Sequence, residues 1–472
     1  MELDDATCYR ALTARDRRFD GVFFVGVATT GVYCRPICPA RTPRADRCTY
    51  FARPAEAEQA GFRACFRCRP EVAPGRADVV AIPRLVRRAL ALIDAGAMNE
   101  GSADALAERL GVTSRHLRRA LTDELGVTPV ELAQTRRLAL AKQLLQDSAL
   151  PLVDVAFAAG FASVRRFNAL FRARFGRPPS EVRRQHADGD GATAAVLPLR
   201  LDYRPPLDWD ALLAFLAARA LPGLETIEPA AAGEPGVYRR VVTIGDVSGA
   251  ITVRPDPARP ALRAELDLAL ARHAMPIAAR LRRLFDLDAQ PDHVRDVLAA
   301  DPMMAPRVAR RPGLRVPGAF DGFEMAVRAV LGQQVSVRAA TTFAARLVAR
   351  FGPPRADAMA ALSVDELRGI GLTGARAATL LGLARAVASG AIDLEAADPE
   401  AVVAALEALP GIGPWTAQYI AMRAVHWPDA FPAGDLGVRK ALGMPPPREV
   451  LALAEAWRPW RAYAVMHLWS DL

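Results

Sequence analysis

Four of the six cysteines in this 472-residue chain fall in two close pairs, and no other feature restricts the local fold as strongly. Three residues separate Cys34 from Cys38, two separate Cys65 from Cys68, and 26 residues lie between the pairs. Such pairs let two short loops close on one tetrahedral ion, with Zn–S distances of about 2.3 Å. The spacing therefore predicts a four-cysteine Zn2+ site. The alternative is a structural zinc knuckle without chemistry. The sequence around the pairs shows no apolar periodicity that would indicate a core.

Length and composition indicate several folded domains inside a cell. A chain of 472 residues is too long for a single ordinary hydrophobic core, and its length predicts three or four domains. The hydrophobic share of 51% and the charged share of 24% are typical of globular proteins. The start, "MELDDATCYR", lacks the basic and apolar regions of a signal peptide, and no stretch suits a membrane span. We therefore expect a cytoplasmic protein with reduced cysteines and no membrane partner.

Positive charge is concentrated in the first two fifths of the chain. Residues 1–75 contain 12 basic against 9 acidic side chains, and residues 76–184 contain 18 against 11. The remainder is balanced, with 31 basic and 32 acidic side chains. A basic surface of this kind favours a polyanionic partner, although an arginine-rich composition also fits a GC-rich genome.

The cysteine-rich segments "TTGVYCRPICPAR" and "AGFRACFRCRPE" resemble the N-terminal domain of Ada, the bacterial methyl sensor, over residues 1–75. The resemblance implies that Cys34 takes a methyl group irreversibly from a DNA phosphotriester, with Cys38, Cys65 and Cys68 as the other Zn2+ ligands. Zinc keeps the sulfur as the nucleophilic thiolate. Methylation changes the charge of the four-thiolate site from 2− to 1−, which strengthens DNA binding. Three neighbouring arginines could bind phosphate or be ordinary surface residues: Arg35, Arg41 and Arg67.

Two helix-turn-helix patterns follow in the basic middle of the chain. In the first, "SADALAERLG" precedes "VTSRHLRRALTDELG"; in the second, "PLVDVAFAAGF" precedes "ASVRRFNALFRARFGRPPSEVRR". This layout resembles the AraC/XylS DNA-binding domain over residues 80–186. It implies a promoter operator as target and RNA polymerase as a partner. The second helices offer these side chains to phosphates or base edges: Arg115, His116, Arg118, Arg119, Arg165, Arg166 and Asn168.

The sequence after residue 186 predicts a flexible linker at 187–195, a mixed α/β lobe at 196–305 and an all-α domain at 306–472. Alternating segments predict strands at "AVLPLRLDY", "GVYRRVVTIGD" and "GAITVRPD", with the helix "WDALLAFLAARAL" between the first two. Apolar spacing is helical from Met275 almost to the end. The predicted fold class is multidomain α+β: a zinc-stabilised domain, a double helix-turn-helix domain, the lobe and the helical domain.

Within the helical domain, "ALPGIGPWTAQYIAMRA" predicts a helix at 401–409, a hairpin and a new helix from Pro414. Gly411 and Gly413 would let a DNA backbone approach, and free N–H groups at the helix start can bind phosphate. Asp435 follows Gly413 by 22 residues in a Gly/Pro-rich loop. An ordinary helical hairpin is the alternative if the motif stands alone.

The hairpin and Asp435 together are the signature of the helix-hairpin-helix Gly/Pro-Asp glycosylases, and residues 196–472 resemble AlkA-type 3-methyladenine DNA glycosylase II. The segments that carry the resemblance include "FEMAVRAVLGQQVS", "LPGIGPWTAQYIAMR" and "WRPWRAYAVMHLW". It implies hydrolysis of the N-glycosidic bond of alkylated purines after the base is flipped out of the duplex. Asp435 would stabilise the oxocarbenium sugar and orient the attacking water.

Aromatic side chains would form the base pocket: Trp415, Tyr419, Trp469 and Phe215. Their electron-rich faces favour a cationic, alkylated purine over a neutral one, although any one of them could be an ordinary core residue.

Trp415 stands where lyase relatives have lysine, which implies a monofunctional glycosylase. Gln334 stands where the best-known relative inserts leucine into the gap left by the flipped base. The Pro-Cys-His-Arg motif of a second methyltransferase is absent, so O6-methylguanine reversal is not expected.

Two alternatives remain open from the sequence. The chain could be a transcription regulator whose C-terminal part binds DNA without catalysis, or a repair enzyme whose N-terminal domains only deliver it to DNA. The pairing of Asp435 with the aromatic set argues against the first.

Overall fold

The computed structural model describes residues 4–75, 83–185, 196–231, 233–395 and 398–471, so the predicted linker at 187–195 lies outside the described residues. The N-terminal region contains a four-stranded sheet in the order β3-β1-β2-β4. β2 is antiparallel to β1 and parallel to β4, with Tyr33 paired to Ala64. Because Cys34 and Cys65 directly follow these paired residues, the sheet brings the two cysteine pairs together. The elements are α1 (Asp5–Ala14), β1 (Phe24–Val27), β2 (Val32–Cys34), β3 (Cys48–Phe51), α2 (Pro54–Gln59) and β4 (Arg63–Ala64).

Seven helices follow, and they confirm both helix-turn-helix units. Ser102 and Thr113 cap the two helices of the first unit, and Ser163 caps the second helix of the second unit. The turns contain Gly111 and Gly160, both at positive φ. The helices are α3 (Arg84–Asp94), α4 (Ala103–Arg109), α5 (Ser114–Leu125), α6 (Pro129–Asp147), α7 (Leu152–Ala158), α8 (Val164–Phe175) and α9 (Pro179–Arg184).

A second sheet has five strands in the order β5-β9-β8-β7-β6. β9 pairs antiparallel with both β5 and β8. The sequence pattern predicts β5, β7 and β8 but misses β6, which has only four residues, and β9, whose "ALRAELD" consists largely of helix formers. The elements are β5 (Val196–Asp202), α10 (Trp209–Ala217), β6 (Glu225–Glu228), β7 (Val237–Ile244), β8 (Val247–Pro255) and β9 (Ala261–Asp267).

The rest of the described chain is helical, as the apolar spacing predicts, around a core that includes Val330, Leu380, Leu406 and Ile420. The predicted helix at 401–409 forms at Pro399–Glu407. The helices are α11 (Ala274–Leu284), α12 (Pro291–Leu298), α13 (Ala305–Arg310), α14 (Gly322–Leu331), α15 (Val337–Phe351), α16 (Ala356–Ala360), α17 (Val364–Arg368), α18 (Gly374–Ala388), α19 (Pro399–Glu407), α20 (Pro414–Arg423), α21 (Leu436–Ala441), α22 (Pro447–Ala454) and α23 (Arg461–Trp469). Short 3-10 helices form at Arg17–Phe19, Ala45–Arg47, Pro70–Val72, Leu268–His273 and Glu455–Trp457.

The chain forms two compact units. The first comprises Met1–Arg204, Val242–Ala279 and Leu287–Gln290, and the second comprises Pro205–Val241, Arg280–Asp286 and Pro291–Leu472. These elements confirm the multidomain α+β class. The division into five parts with the boundaries given above remains a prediction. Within the described residues, no helix has both the length and the apolar character needed to cross a membrane.

Candidate functional site

The carboxylate of Asp435 is held by three N–H donors from three different helices of the second unit. Asp435 is the N-cap of α21, and its Oδ1 accepts a hydrogen bond from the backbone N of Val438 at 2.9 Å. Trp469 Nε1 on α23 donates to Oδ1 at 2.8 Å, and Trp415 Nε1 on α20 donates to Oδ2 at 2.9 Å. The side chain is half-buried rather than fully enclosed. Both oxygens therefore have a fixed orientation while the carboxylate remains accessible.

Two of the predicted aromatic residues bind this carboxylate, and the other two contact the tryptophan rings. The rings of Trp415 and Tyr419 stack with centroids 5.3 Å apart and planes 6° from parallel. Tyr419 meets Trp469 at 6.2 Å in a tilted arrangement, and Phe215 stacks on Trp469 at 6.0 Å. The structure thus brings all four residues together, and their role as a base pocket remains a prediction.

A cavity of about 390 Å³ opens beside Asp435, a volume within the range of small-molecule sites. Trp415, Tyr419, Trp469 and Asp435 line it, whereas Phe215 lies behind Trp469 and contributes no lining surface. The other lining residues are Arg219, Met325, Arg328, Ala329, Gly332, Val335, Val337, Ala340, Arg423 and Gly437. One carboxylate, three aromatic rings and a partly apolar wall make this cavity suitable for a planar, polar heterocycle.

Three arginines that line the cavity are not predicted from the sequence: Arg219, Arg328 and Arg423. Arg423 is 3% exposed, and its Nη1 donates a hydrogen bond to the Tyr419 hydroxyl at 3.0 Å. The sequence does contain a signal that Arg423 belongs to the site. Arg423 follows Tyr419 by four positions on α20, so the two side chains lie on the same helix face. Arg219 and Arg328 come from distant segments and carry no comparable signal.

The hairpin between α19 and α20 has the predicted geometry. Gly411 has φ +86°, and a Cβ at this position would lie 2.0 Å from Thr379 Oγ1, so only glycine fits. Gly413 is exposed and is the N-cap of α20, with Pro414 in its first turn. The start of α20 is therefore exposed, and phosphate binding there remains a prediction.

Gln334 is exposed at the edge of the cavity. Its neighbours Gly332 and Val335 line the cavity, and Gln334 itself has φ +54°. The preceding residue fixes this turn, because Gln333 Nε2 donates to Gly411 O at 2.9 Å and to Thr416 Oγ1 at 3.0 Å. This position is compatible with the predicted insertion into a DNA gap, which remains a prediction.

The four predicted zinc ligands converge in the first unit. The Sγ atoms of Cys34, Cys38, Cys65 and Cys68 all lie within 4.8 Å of one another. Tetrahedral Zn–S bonds of about 2.3 Å place sulfurs about 3.8 Å apart, so the cluster fits Zn2+. Four thiolates this close need a cation to coexist.

The four cysteines pack against apolar side chains, which the sequence pattern does not indicate. All four cysteines are buried, and they pack against Leu12 and Val25. Cys34 is the most exposed of the four at 9%, against 6% for Cys38. α1 and β1 therefore provide apolar neighbours for the cluster, although the sequence shows no apolar periodicity around the cysteine pairs.

Arg35 does not fit its predicted role as a phosphate contact. The residue is 3% exposed, and its guanidinium pairs with Asp20 and, at 2.8 Å, with Asp202. Its backbone N donates to Cys68 Sγ at 3.3 Å. Arg35 therefore supports the zinc loop, because two carboxylates already occupy the group that would bind phosphate. Arg41 and Arg67, by contrast, are exposed beside the cluster.

The predicted DNA-contacting side chains of the helix-turn-helix units all lie on the surface. Leu117 and Phe167 face inward from α5 and α8 and are fully buried. The exposed side chains of these two helices include Arg115, His116, Arg118, Arg119, Arg165, Arg166 and Asn168. Each second helix is therefore anchored on an apolar face and presents a basic one.

Comparisons with known families cover most of the chain. Residues 7–71 match the metal binding domain of Ada, and residues 106–185 match a helix-turn-helix domain. Residues 198–321 match the AlkA N-terminal domain, and residues 327–445 match the HhH-GPD superfamily of base excision DNA repair proteins.

Individual relatives agree with these matches. A Mycobacterium tuberculosis protein named "Probable bifunctional transcriptional activator/DNA repair enzyme AlkA" is 41% identical over 100% of this chain and 97% of its own length. DNA-3-methyladenine glycosylase 2 of Escherichia coli K12 is 35% identical over 57% of this chain and 95% of its own length. The solved 3-methyladenine DNA-glycosylase from Archaeoglobus fulgidus shares the fold over 57% of this chain and 97% of its own, with a TM-score of 0.51 and 22% identity. The chain belongs to the family of bifunctional transcriptional activators and DNA repair enzymes that join an Ada-type metal-binding domain, a helix-turn-helix domain and an AlkA-type glycosylase.

Proposed function

We propose that this chain acts on alkylated DNA in two ways, as a monofunctional DNA-3-methyladenine glycosylase and as a methylphosphotriester sensor that controls transcription. The observation that carries the glycosylase is the carboxylate of Asp435 on the wall of an aromatic cavity, with one oxygen bound by each of two indole N–H groups. A DNA base flipped from the duplex would enter that cavity.

The glycosylase step is hydrolysis at the sugar carbon. The C1′–N bond breaks and its electron pair leaves with the base, so positive charge develops on the sugar. The ionised Asp435 stabilises that charge, and water then adds to C1′ and gives up one proton to solvent, which leaves an abasic site. Trp415 and Trp469 hold the carboxylate in place throughout. No lysine stands at the position of Trp415 to form a Schiff base, so the backbone is not cleaved.

The sensor step takes place at the cysteine cluster. When bound by Cys34, Cys38, Cys65 and Cys68, Zn2+ keeps the sulfurs ionised at neutral pH. Cys34 Sγ then attacks the methyl carbon of a phosphotriester, the carbon–oxygen bond breaks, and a phosphodiester anion leaves. The protein surface loses one negative charge where it faces DNA, which strengthens binding.

The proposed consequence of methylation is operator binding and transcription activation. The exposed basic faces of α5 and α8 would enter the major groove, with Arg41 and Arg67 on nearby phosphates. RNA polymerase belongs to this proposal as the partner of an activator.

Both reactions can be measured with the purified full-length protein. DNA methylated at ring nitrogens should release free 3-methyladenine, and labelled methylphosphotriester DNA should transfer its label to the protein. Cys34→Ala should abolish the label transfer, whereas the matched Cys48→Ala variant should retain it because Cys48 lies outside the cluster. Label transfer to Cys34→Ala would refute the assignment of the acceptor.

A further inference from the structure

The second unit contains a glycine hairpin whose sequence repeats that of the hairpin before α20. The segment "LRGIGLTGA" at 367–375 shares L-x-G-I-G-x-x-x-A with "LPGIGPWTA" at 409–417. Each segment joins two helices, α17 to α18 and α19 to α20. Each also buries its central side chain, with Ile370 at 5% and Ile412 at 4% exposed, whereas the flanking glycines are exposed. Both turns therefore present bare backbone to an approaching group.

The hairpin at 369–371 has positive charge that the hairpin at 411–413 lacks. Arg368 occupies the position of Pro410, immediately before the first glycine. Two more arginines reach the same turn from α15, and the three border an open groove of about 530 Å³. Among the described residues, no acidic side chain lines this arginine groove. Its lining residues are Arg346, Ala349, Arg350, Arg368, Gly369, Ile370 and Gly371.

The three arginines are exposed and keep N–H donors available for a ligand. Arg346 Nη1 donates to the carbonyl oxygen of Ile370 at 3.3 Å, and Arg368 pairs with Asp365 at 3.1 Å. In the described part of the chain, no carboxylate forms an ion pair with Arg346 or Arg350. These two residues lie four positions apart on α15, where like charges repel each other. An anion in the groove would relieve this repulsion.

Hydrogen bonds connect the two hairpins on one side of the second unit. Arg376 in the first turn of α18 donates to Gln333 O at 2.7 Å, and Gln333 Nε2 donates to Gly411 O at 2.9 Å. The next residue, Gln334, is exposed at the edge of the base cavity. A duplex with its damaged base in that cavity would therefore pass close to the start of α18 as well as to the start of α20.

We propose that the arginine groove is a second DNA-backbone site, in which Arg346, Arg350 and Arg368 bind a phosphate other than the one received at the start of α20. The inference rests on the proposed glycosylase function, which brings DNA to this side of the unit. Guanidinium groups suit phosphate because they offer paired N–H donors with a fixed charge. The groove would bind any sequence equally and would hold the duplex at a second point while the base is rotated out.

The test measures binding of the full-length protein to an undamaged duplex over a range of NaCl concentrations. The double variant Arg346→Gln/Arg350→Gln removes two charges from the groove and keeps most of the side-chain length. We expect weaker binding and a slope of log K against log salt concentration that is smaller in magnitude by about 1, as for one lost phosphate contact.

Phosphate ethylation interference then identifies the contact. The duplex for this measurement contains a tetrahydrofuran analogue of an abasic site, which fixes the register of the bound protein. At least one phosphate whose ethylation weakens binding by wild type should have no such effect on the double variant.

Two further double variants separate the groove from general charge and from folding. Arg272→Gln/Arg385→Gln removes the same charge from exposed positions outside the groove and should keep the wild-type slope. Arg346→Lys/Arg350→Lys retains both positive charges and should recover the slope.

Equal slopes and identical interference patterns for Arg346→Gln/Arg350→Gln and wild type would overturn the inference. Inorganic phosphate is the other source of the same chemistry, and calorimetry measures its binding directly. If wild type binds inorganic phosphate, the Gln double variant does not, and their DNA slopes are equal, the groove serves a free anion and the inference is overturned. Failure of wild type to release 3-methyladenine from methylated DNA would instead refute the proposed function.

Discussion

The ammonium group of Lys142 lies 2.7 Å from the carbonyl oxygen of Cys65, although Lys142 belongs to the helix that joins the two helix-turn-helix units. Lys142 is completely buried, and it also pairs with Glu71 at 2.7 Å. The loop that carries the second cysteine pair is therefore supported by α6. We expect this contact to couple the folding of the metal site to that of the DNA-binding helices.

Replacing Lys142 by methionine should destabilise the first unit. The substitution removes the donor to Cys65 and leaves the buried Glu71 carboxylate with Arg69 as its remaining partner at 3.3 Å. Breaking one side of a buried ion pair costs about 3–5 kcal/mol of unfolding free energy. Urea unfolding of the zinc-loaded protein measures this loss, and zinc release should begin at lower urea than in wild type.

Lys440→Met is the matched control for this prediction, because Lys440 is exposed on α21. It should unfold like wild type. If Lys142→Met also unfolds like wild type and retains its zinc equally well, the coupling between α6 and the cysteine loop is refuted.

Changing Trp469 to phenylalanine tests how the carboxylate is positioned. The ring that contacts Tyr419 and Phe215 is largely retained, but Asp435 Oδ1 loses the indole donor at 2.8 Å. A hydrogen bond to a charged group contributes about 1.5–3 kcal/mol, so excision of 3-methyladenine should slow by about 10–100-fold. The rate at saturating DNA is the measurement, with the melting temperature as a check on folding. An unchanged rate would show that this hydrogen bond has no part in catalysis.

The basic face of α8 should contribute sequence-independent attraction to DNA. Arg166→Ala removes one exposed positive charge from this helix. If Arg166 contacts a phosphate, the slope of log K against log salt concentration should decrease in magnitude by about 1. Arg272→Ala, which removes an exposed arginine outside both helix-turn-helix units, should leave the slope unchanged. Equal slopes for Arg166→Ala and wild type would exclude a phosphate contact by Arg166.

The sequence predicts those parts of the site whose signals are local. The spacing of the cysteine pairs indicates the cluster, and cap residues such as Ser102 and Thr113 mark the helix-turn-helix units. Asp435 and the aromatic residues come from short, recognisable segments. The structure adds the hydrogen bonds that join them.

Interactions between distant segments could not be predicted in this way. Arg35 resembles a surface arginine beside a zinc loop until Asp20 and Asp202, 15 and 167 residues away, are seen to enclose it. Arg219 and Arg423 similarly come together only in the folded chain, where both guanidinium groups lie over the Phe215 ring. Neither burial nor charge pairing between such segments leaves a periodic trace in the sequence.

If the carboxylate of Asp435 drives base excision, Asp435→Asn should release little 3-methyladenine from methylated DNA, and this release is the most direct measurement of its role. Asparagine can still accept the cap hydrogen bond from Val438, so the fold should persist, but the negative charge beneath the sugar is lost. We predict a rate at least about 10²-fold below that of wild type at equal DNA binding. Release of 3-methyladenine by Asp435→Asn at the wild-type rate would contradict the account.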